Sequence, residues 1–232
     1  MTGTPDIRTV AETVSTNDDV ALFARQGAAE GLWLRADRQS GGRGRQGRSW
    51  VSPTGNLYAS TLVRIRPADP PAPTLALVAA VALREVLARD VPDAIIKWPN
   101  DVMAGPAKIA GILLERSGNA VVIGFGANLA HHPEGLDRPV ASIASLAGAA
   151  PDPGVALEML AEAFGRWLGR WRSEGLGPIR HAWLAAAHPA GTALSTSQGD
   201  GLFDGLDGDG ALRLRLADGT QRVIHAGDVF LL

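Results

Sequence analysis

Apolar and polar residues keep no single period along this chain, and the changes of period mark its elements. IRTVAETV (7–14) sets apolar residues among polar ones over a strand's length. STND (15–18) follows as a cluster of helix-capping residues, and DDVALFARQG predicts a helix ending at Gly27. GLWLRAD (31–37) and NLYASTLVRI (56–65) predict strands, separated by a stretch too rich in glycine for either regular element. TLALVAAVALREVLAR (74–89) has the length and alanine content of a buried helix, and AIIKWP (94–99) is a short strand closing on proline. KIAGILLER (108–116) and AVVIGFGAN (120–128) predict two apolar strands joined by Ser117-Gly118-Asn119 as a hairpin. GVALEMLAEAFGRWLGRWRSEG (154–175) is an amphipathic helix with Trp167 and Trp171 on its apolar stripe, and IRHAWLAAA (179–187) is another helix. Strands and helices mix and hairpins are present, so the expected class is α+β, a mixed sheet flanked by helices.

After His188-Pro189-Ala190 the texture changes. TALSTS, GLFDGLD, ALRLRLA, TQRVIHA and DVFLL are five short strand candidates punctuated by GDG, DGDG and DGT. That spacing predicts a small antiparallel barrel. The expected division is therefore 1–188 for a main domain and 189–232 for a barrel too small to stand comfortably alone, which should pack on the main domain.

Composition narrows the function classes. Hydrophobic residues make up 46% and charged residues 20%, enough for a real core. The formal charge of −2 argues against a chain built as a whole to hold nucleic acid. With no cysteine, disulfides, thiolate zinc sites and cysteine nucleophiles are excluded, in keeping with a cytoplasmic protein. The longest apolar run, LALVAAVAL (75–83), falls short of the roughly 20 residues a membrane helix needs, and no secretory signal precedes it.

Against this background GGRGRQGRSW (41–50) is a local concentration of positive charge. Its glycines let backbone approach a ligand, its arginines suit phosphate and carboxylate, and Trp50 offers a face on which a base could stack. A solvated basic loop is the plainer reading of these letters alone. KWPND (97–101) puts Lys97, Asn100 and Asp101 at a strand exit, a composition equally at home in an ordinary turn. Lys108 opens an apolar strand with Gly111 three residues on, and either reaches solvent or points into a site. His131 and His132 adjoin each other without a partner cluster, so no metal ligand set is read from them.

Taken together, STN (15–17), Gln39, GRGRQGRSW, KWPND, KIAGILLE and GFGANL resemble, in order and approximate spacing, the biotin–protein ligases over nearly the whole chain. The resemblance implies a class II synthetase-like catalytic domain and a C-terminal SH3-like barrel. It implies that biotin and ATP form biotinyl-adenylate, with Mg²⁺ assisting, and that biotin then passes to one lysine of a carboxylase's biotin carboxyl carrier domain. With only 14 residues before Ser15, the winged-helix domain of the ligase–repressor members is not expected, nor is sequence-specific DNA binding. Homodimers formed through a sheet edge occur in the family, and the sequence leaves that open.

The resemblance also implies residue roles. Ser15, Thr16, Asn17, Gln39, Gly42, Arg43, Gly44, Arg45, Lys108 and Gly111 match biotin-binding positions, with apolar neighbours such as Ile112 as a wall. Arg43, Arg45, Arg48, Trp50, Lys97, Asn100, Lys108 and Asn128 are expected around ATP, with Trp50 near the adenine. Lys108, Arg43 and Arg45 would carry the charge stabilisation, and Asp101 would assist the acceptor lysine. Gln46 is assigned no role; the MAGPA link (103–107) looks short; and AGDVF (226–230) has aspartate where the family usually has glutamate. The nearest competing reading is a lipoate ligase of the same superfamily. A nucleic-acid module built on the Arg/Gly loop would leave KWPND and KIAGILLE unexplained.

Overall fold

In the computed structural model, which describes residues 5–232, a seven-stranded sheet carries most of the chain. Strand β1 (Asp6–Thr13) leads through helix α1 (Thr16–Arg25) to β2 (Leu32–Gln39), which pairs with β1 in parallel. Every other pairing in the sheet is antiparallel: β3 (Leu57–Arg64), β4 (Ile95–Lys97), β5 (Asp101–Ala104), β6 (Ala107–Ser117) and β7 (Ala120–Ala127) give the order β1-β2-β3-β7-β6-β5-β4. The hairpin expected at residues 117–119 closes with Ser117 opposite Ala120.

Strand periodicity assigns the two faces. On β7, Ile123 and Phe125 enter the main core with Ile112 of β6, beneath helices α2 (Leu75–Leu87) and α4 (Pro153–Glu174). Trp33 stacks on Phe125 at 5.5 Å, and Phe164 of α4 meets both edge-on. Trp171 is fully buried and donates from Nε1 to Thr74 Oγ1 at 2.8 Å, as expected for a core stripe. The other face carries α1, whose Val20 packs with Leu34, Leu62 and Val122. Along β6 and β7 that face presents Gly111, Gly124 and Gly126, so the sheet floor beside α1 is bare backbone.

After α5 (Gly177–Ala185), strands β8 (Ala193–Thr196), β9 (Gly199–Leu206), β10 (Leu212–Arg215), β11 (Gln221–Ile224) and β12 (Val229–Leu231) form an antiparallel SH3-like sheet in the order β11-β10-β9-β8-β12. Its apolar face joins the main core through Phe203, Leu206, Leu212 and Leu214. Trp98 Nε1 donates to the Gly210 carbonyl at 3.3 Å, and Arg180 donates to that of Leu206. The small barrel thus shares its core with the larger unit, as its size requires.

Three local expectations change. Helix α1 starts at Thr16, earlier than the run DDVALFARQG suggested, which places Ser15 at the N-cap. The residues taken as a short link after KWPND form β5 and a tight turn into β6, with Gly105 at φ 55°. A short helix α3 (Ile143–Ala147) was not anticipated; Ser142 and Ser145 cap its start reciprocally and Gly148 ends it.

Candidate active site

The glycine floor, the start of α1, the Arg/Gly loop, the β4–β5 turn and the last strand of the barrel enclose a cavity of about 420 Å³. At one end lie Ser15, Thr16 and Asn17, all buried. Ser15 makes no capping bond, which leaves its hydroxyl to the cavity. The Thr16 backbone N–H and hydroxyl both donate to Gln39 Oε1, at 2.9 and 3.1 Å. Gln39 Nε2 in turn donates to Ser52 Oγ at 3.1 Å, and the Ser60 hydroxyl lies 2.7 Å from Thr16 Oγ1 and 2.6 Å from Asn17 Oδ1. Asn17 Nδ2 donates to Glu115 at 2.7 Å. This network holds polar groups in fixed positions, the arrangement that recognises a small polar ring.

Gly124 leaves room for Asn17: a β-carbon there would fall 3.0 Å from Asn17 Cγ and closer still to its carbonyl oxygen. Gly126 and Gly111 leave room for Trp50, whose ring lies over both; a β-carbon on Gly126 would sit 2.7 Å from the indole. Trp50 Nε1 is buried and has no hydrogen-bond partner, and Lys108 Nζ stands 5.3 Å from the ring centroid.

Lys108 occupies the centre of the charge arrangement. Its ammonium pairs with Asp101 at 2.5 Å, and Lys97 lies 3.8 Å from the same carboxylate. Burial lowers the Lys108 pKa below the ordinary lysine value, against the pull of Asp101, and the charges of Arg138 and Lys97 add to the depression. The strand reading of residues 108–116 is therefore right, and its opening lysine points into the cavity.

The Arg/Gly loop is anchored at both ends. Gly44 and Arg48 are joined by a backbone hydrogen bond at 2.7 Å, Arg43 bridges to Ser49, and Arg45–Gly47 form a single tight turn with Gln46 at φ 58°. Arg43 holds Asp18 through two bonds of 2.6 and 2.7 Å, which keeps that carboxyl below the usual aspartate range. Arg45 reaches Asn100 Oδ1 at 3.3 Å and the Gly227 carbonyl at 3.2 Å. Asp228 pairs with Arg48 and lies 3.7 Å from Arg45. The barrel thus supplies the counter-charge that holds the loop down. Asp228→Asn is expected to raise the rate of tryptic cleavage within residues 41–50 of the ligand-free chain by about two- to fivefold, since each partly exposed pair contributes about 0.2–1 kcal/mol; an unchanged rate would mean the barrel does not restrain the loop.

Nearly every residue singled out in the sequence lines this cavity: Ser15, Thr16, Asn17, Gln39, Arg43, Gly44, Arg45, Arg48, Trp50, Lys97, Asn100, Asp101, Lys108 and Gly111. Two do not. Gly42 lies behind the loop, where a β-carbon would strike Ser52 and the Trp50 carbonyl at 2.6 Å. Asn128 is buried, and its amide donates to the Ala141 carbonyl at 3.1 Å to anchor the loop after β7. Ile112 lines the cavity as expected while also packing in the main core, and Leu113 and the glycines complete the wall. His132 Nδ1 contacts Ser142 Oγ at 3.1 Å, and the His131 carbonyl accepts from Asn56. The partners Asp18, Glu115 and Asp228 were missed, as were Met103 and Arg138; only the atypical AGDVF hinted at Asp228.

An apolar, glycine-floored slot with a rigid polar end and a cationic opening suits an organic acid together with a polyphosphate. The comparisons agree with that geometry. Residues 10–128 match the Biotin/lipoate A/B protein ligase family, and residues 200–232 match the Biotin protein ligase C terminal domain. A biotin–[acetyl-CoA-carboxylase] ligase of Paracoccus denitrificans is 41% identical over 95% of this chain and 98% of its own. One from Mycobacterium tuberculosis is 35% identical over 95% of this chain and 86% of its own. The fold matches that of the biotin protein ligase of Aquifex aeolicus in complex with biotin and ATP, with a TM-score of 0.86 over 98% of each chain at 24% identity. On this combined ground the chain belongs to the biotin/lipoate A/B protein ligase family, as an enzyme of its biotin–protein ligase branch.

Proposed function

We propose that this chain activates biotin with ATP and transfers it to a lysine of a biotin carboxyl carrier domain, with Lys108 as the central electrophilic group. The observation that carries this reading is the largely buried Lys108–Asp101 pair beside a glycine floor, faced by three arginines. Biotin's ureido ring meets Ser15, Thr16, Asn17 and Gln39, and its valeryl chain runs past Trp50, which packs directly on Gly111 and Gly126, toward Lys108. The carboxylate then arrives at Lys108. A carboxylate oxygen attacks the α-phosphorus of ATP; the bond from that phosphorus to the β-bridging oxygen breaks, and pyrophosphate leaves. Two anions must meet for this, and Lys108 with Arg43, Arg45 and Arg48 offsets their repulsion. Trp50 and Lys97 border the nucleotide, and Asn100 positions Arg45.

Mg²⁺ would accompany the nucleotide as counter-ion and neutralise phosphate charge. Among the described residues no group of three His, Asp or Glu side chains converges on one point, and magnesium commonly relies on phosphate oxygens with one or two carboxylates. In the second step the acceptor amine attacks the acyl carbon, the C–O bond to AMP breaks, and the amine proton passes toward Asp101. Because Asp101 pairs with Lys108, it serves chiefly to orient the incoming amine. A cytoplasmic site of action belongs to the same proposal; no helix among the described residues is long and apolar enough to cross a membrane. The same proposal divides the chain near residue 189, between α5 and β8, into ligand-binding unit and barrel; one family match lies wholly before that point and the other wholly after it.

Purified chain incubated with biotin and Mg·ATP should release pyrophosphate only when biotin is present; release independent of biotin, or none, would refute the reading. Arg45→Gly removes the contacts to Asn100 and Gly227 and should let adenylate escape. Bystander proteins should then be biotinylated about tenfold faster than by the native chain, the equivalent of one lost charge-assisted hydrogen bond. Strict dependence on the carrier domain in that variant would contradict the lid role of the loop.

A further inference from the structure

Asn17 and Arg43 line the cavity, and both are touched by a carboxylate that does not: Glu115. Glu115 stands on β6 opposite Val122, which packs with Val20 of α1. Strand alternation therefore puts its side chain on the same sheet face as Gly111 and Leu113. There Oε2 accepts from Asn17 Nδ2 at 2.7 Å, and Oε1 lies 3.5 Å from Arg43 Nη2. Arg43 is itself held by Asp18. The first turn of α1, the Arg/Gly loop and β6 thus meet around one carboxylate.

The consequence falls on the Asn17 carboxamide. Its two ends are alike in shape and opposite in hydrogen bonding. On one side the Ser60 hydroxyl lies 2.6 Å from Asn17 Oδ1. A hydroxyl both donates and accepts, so Ser60 can satisfy either end. On the other side the Glu115 carboxylate only accepts, so it takes the NH2 end and repels the oxygen. Glu115 therefore decides the orientation, and it turns the Asn17 oxygen toward Ser60 and the bare backbone of Gly124. A cyclic urea presents two N–H donors beside one carbonyl. A carboxamide turned end for end would set donor against donor and acceptor against acceptor.

We propose that Glu115 is a positioning residue for biotin: it acts through Asn17, fixing the carboxamide in the one orientation that matches the ureido ring. The inference rests on the biotin-dependent reading above. It adds a residue that touches no ligand and lies 98 positions along the chain from the side chain it directs. At 43% exposure Glu115 sits at the margin of the sheet, so its truncation leaves the core intact.

The test uses the full chain, with biotin-dependent pyrophosphate release and calorimetry of biotin binding without ATP. Glu115→Ala should raise the KM for biotin about tenfold, the loss of one charge-assisted hydrogen bond, and weaken biotin binding by a similar factor. The kcat and the KM for ATP should stay within about twofold of native. Glu115→Gln, whose amide oxygen still accepts from Asn17 Nδ2, should recover most of the loss; a merely structural role for the carboxylate would give no such split between substrates. Placed on Asn17→Ala, Glu115→Ala should add less than about twofold, whereas on Arg43→Ala it should keep its full effect. A KM for biotin within twofold of native in Glu115→Ala overturns the proposal, as does a full further loss on Asn17→Ala. An effect that vanishes on Arg43→Ala also overturns it, by routing Glu115 through the loop. If the native chain binds biotin but releases no pyrophosphate, the reading of function has failed, while the calorimetric comparison still decides the role of Glu115. A native chain that binds no biotin overturns both.

Discussion

Lys108→Ala is expected to lower biotin-dependent pyrophosphate release by about 10²–10³ in kcat, the usual cost of removing one preorganised donor from a developing charge. The side chain is largely buried, paired at 2.5 Å with Asp101 and packed by Trp50 and Gly111, so it is held in place before ligands bind. Its loss removes the positive charge where carboxylate and α-phosphate meet and leaves Asp101 facing them, with only Lys97 at 3.8 Å as counter-charge. Lys108→Arg should not restore activity, because a planar guanidinium cannot replace a compact ammonium between Gly111 and Trp50. The native enzyme carries a related signature. Because burial depresses the Lys108 pKa, the charged form is lost as pH rises through a value below that of free lysine. The alkaline limb of kcat/KM should therefore fall earlier than an ordinary lysine predicts. Near-native release from Lys108→Ala would remove this residue from the chemistry.

The second large effect is expected at Gly124. Gly124→Ala should raise the KM for biotin by about 10- to 100-fold, corresponding to the roughly 1–3 kcal/mol that overpacking costs. The added methyl would collide with the Asn17 carboxamide. Asn17 cannot swing aside cheaply, since Ser60 holds its oxygen and Glu115 its nitrogen. The whole polar end, tied through Ser60 to Thr16 and Gln39, would shift. The KM for ATP should change far less, because the three atoms nearest a β-carbon at Gly124 all belong to Asn17. Equal rises for both substrates would show that the two halves of the cavity are not separable as described.

What was legible in the sequence follows a physical line. The hairpin at 117–119, the helix bearing Trp171 and the five barrel strands were carried by periodicity and turn residues, which are local. The site residues were legible as motifs because GRGRQGRSW, KWPND and KIAGILLE each hold several members side by side. Their partners were not, because each lies far along the chain: Arg48 meets Asp228 and Asn17 meets Glu115 only after the sheet and barrel have assembled. Strand β5 escaped notice since four residues ending in a Gly-Pro turn carry no period of their own. Asn128 and Ile112 show the limit of motif matching. Strand alternation packs the Ile112 side chain in the core, while a loop's need for anchors engages the Asn128 amide with Ala141; Gly111 and Leu113 beside Ile112 face the ligand side.

Incubating the full chain with Mg·ATP, labelled biotin and a biotin carboxyl carrier domain tests the central claim most directly. The account predicts label on a single acceptor lysine, with one AMP and one pyrophosphate formed per biotin transferred, and no transfer when ATP is omitted. Transfer without ATP, or ATP cleavage that leaves the carrier unlabelled, would contradict it.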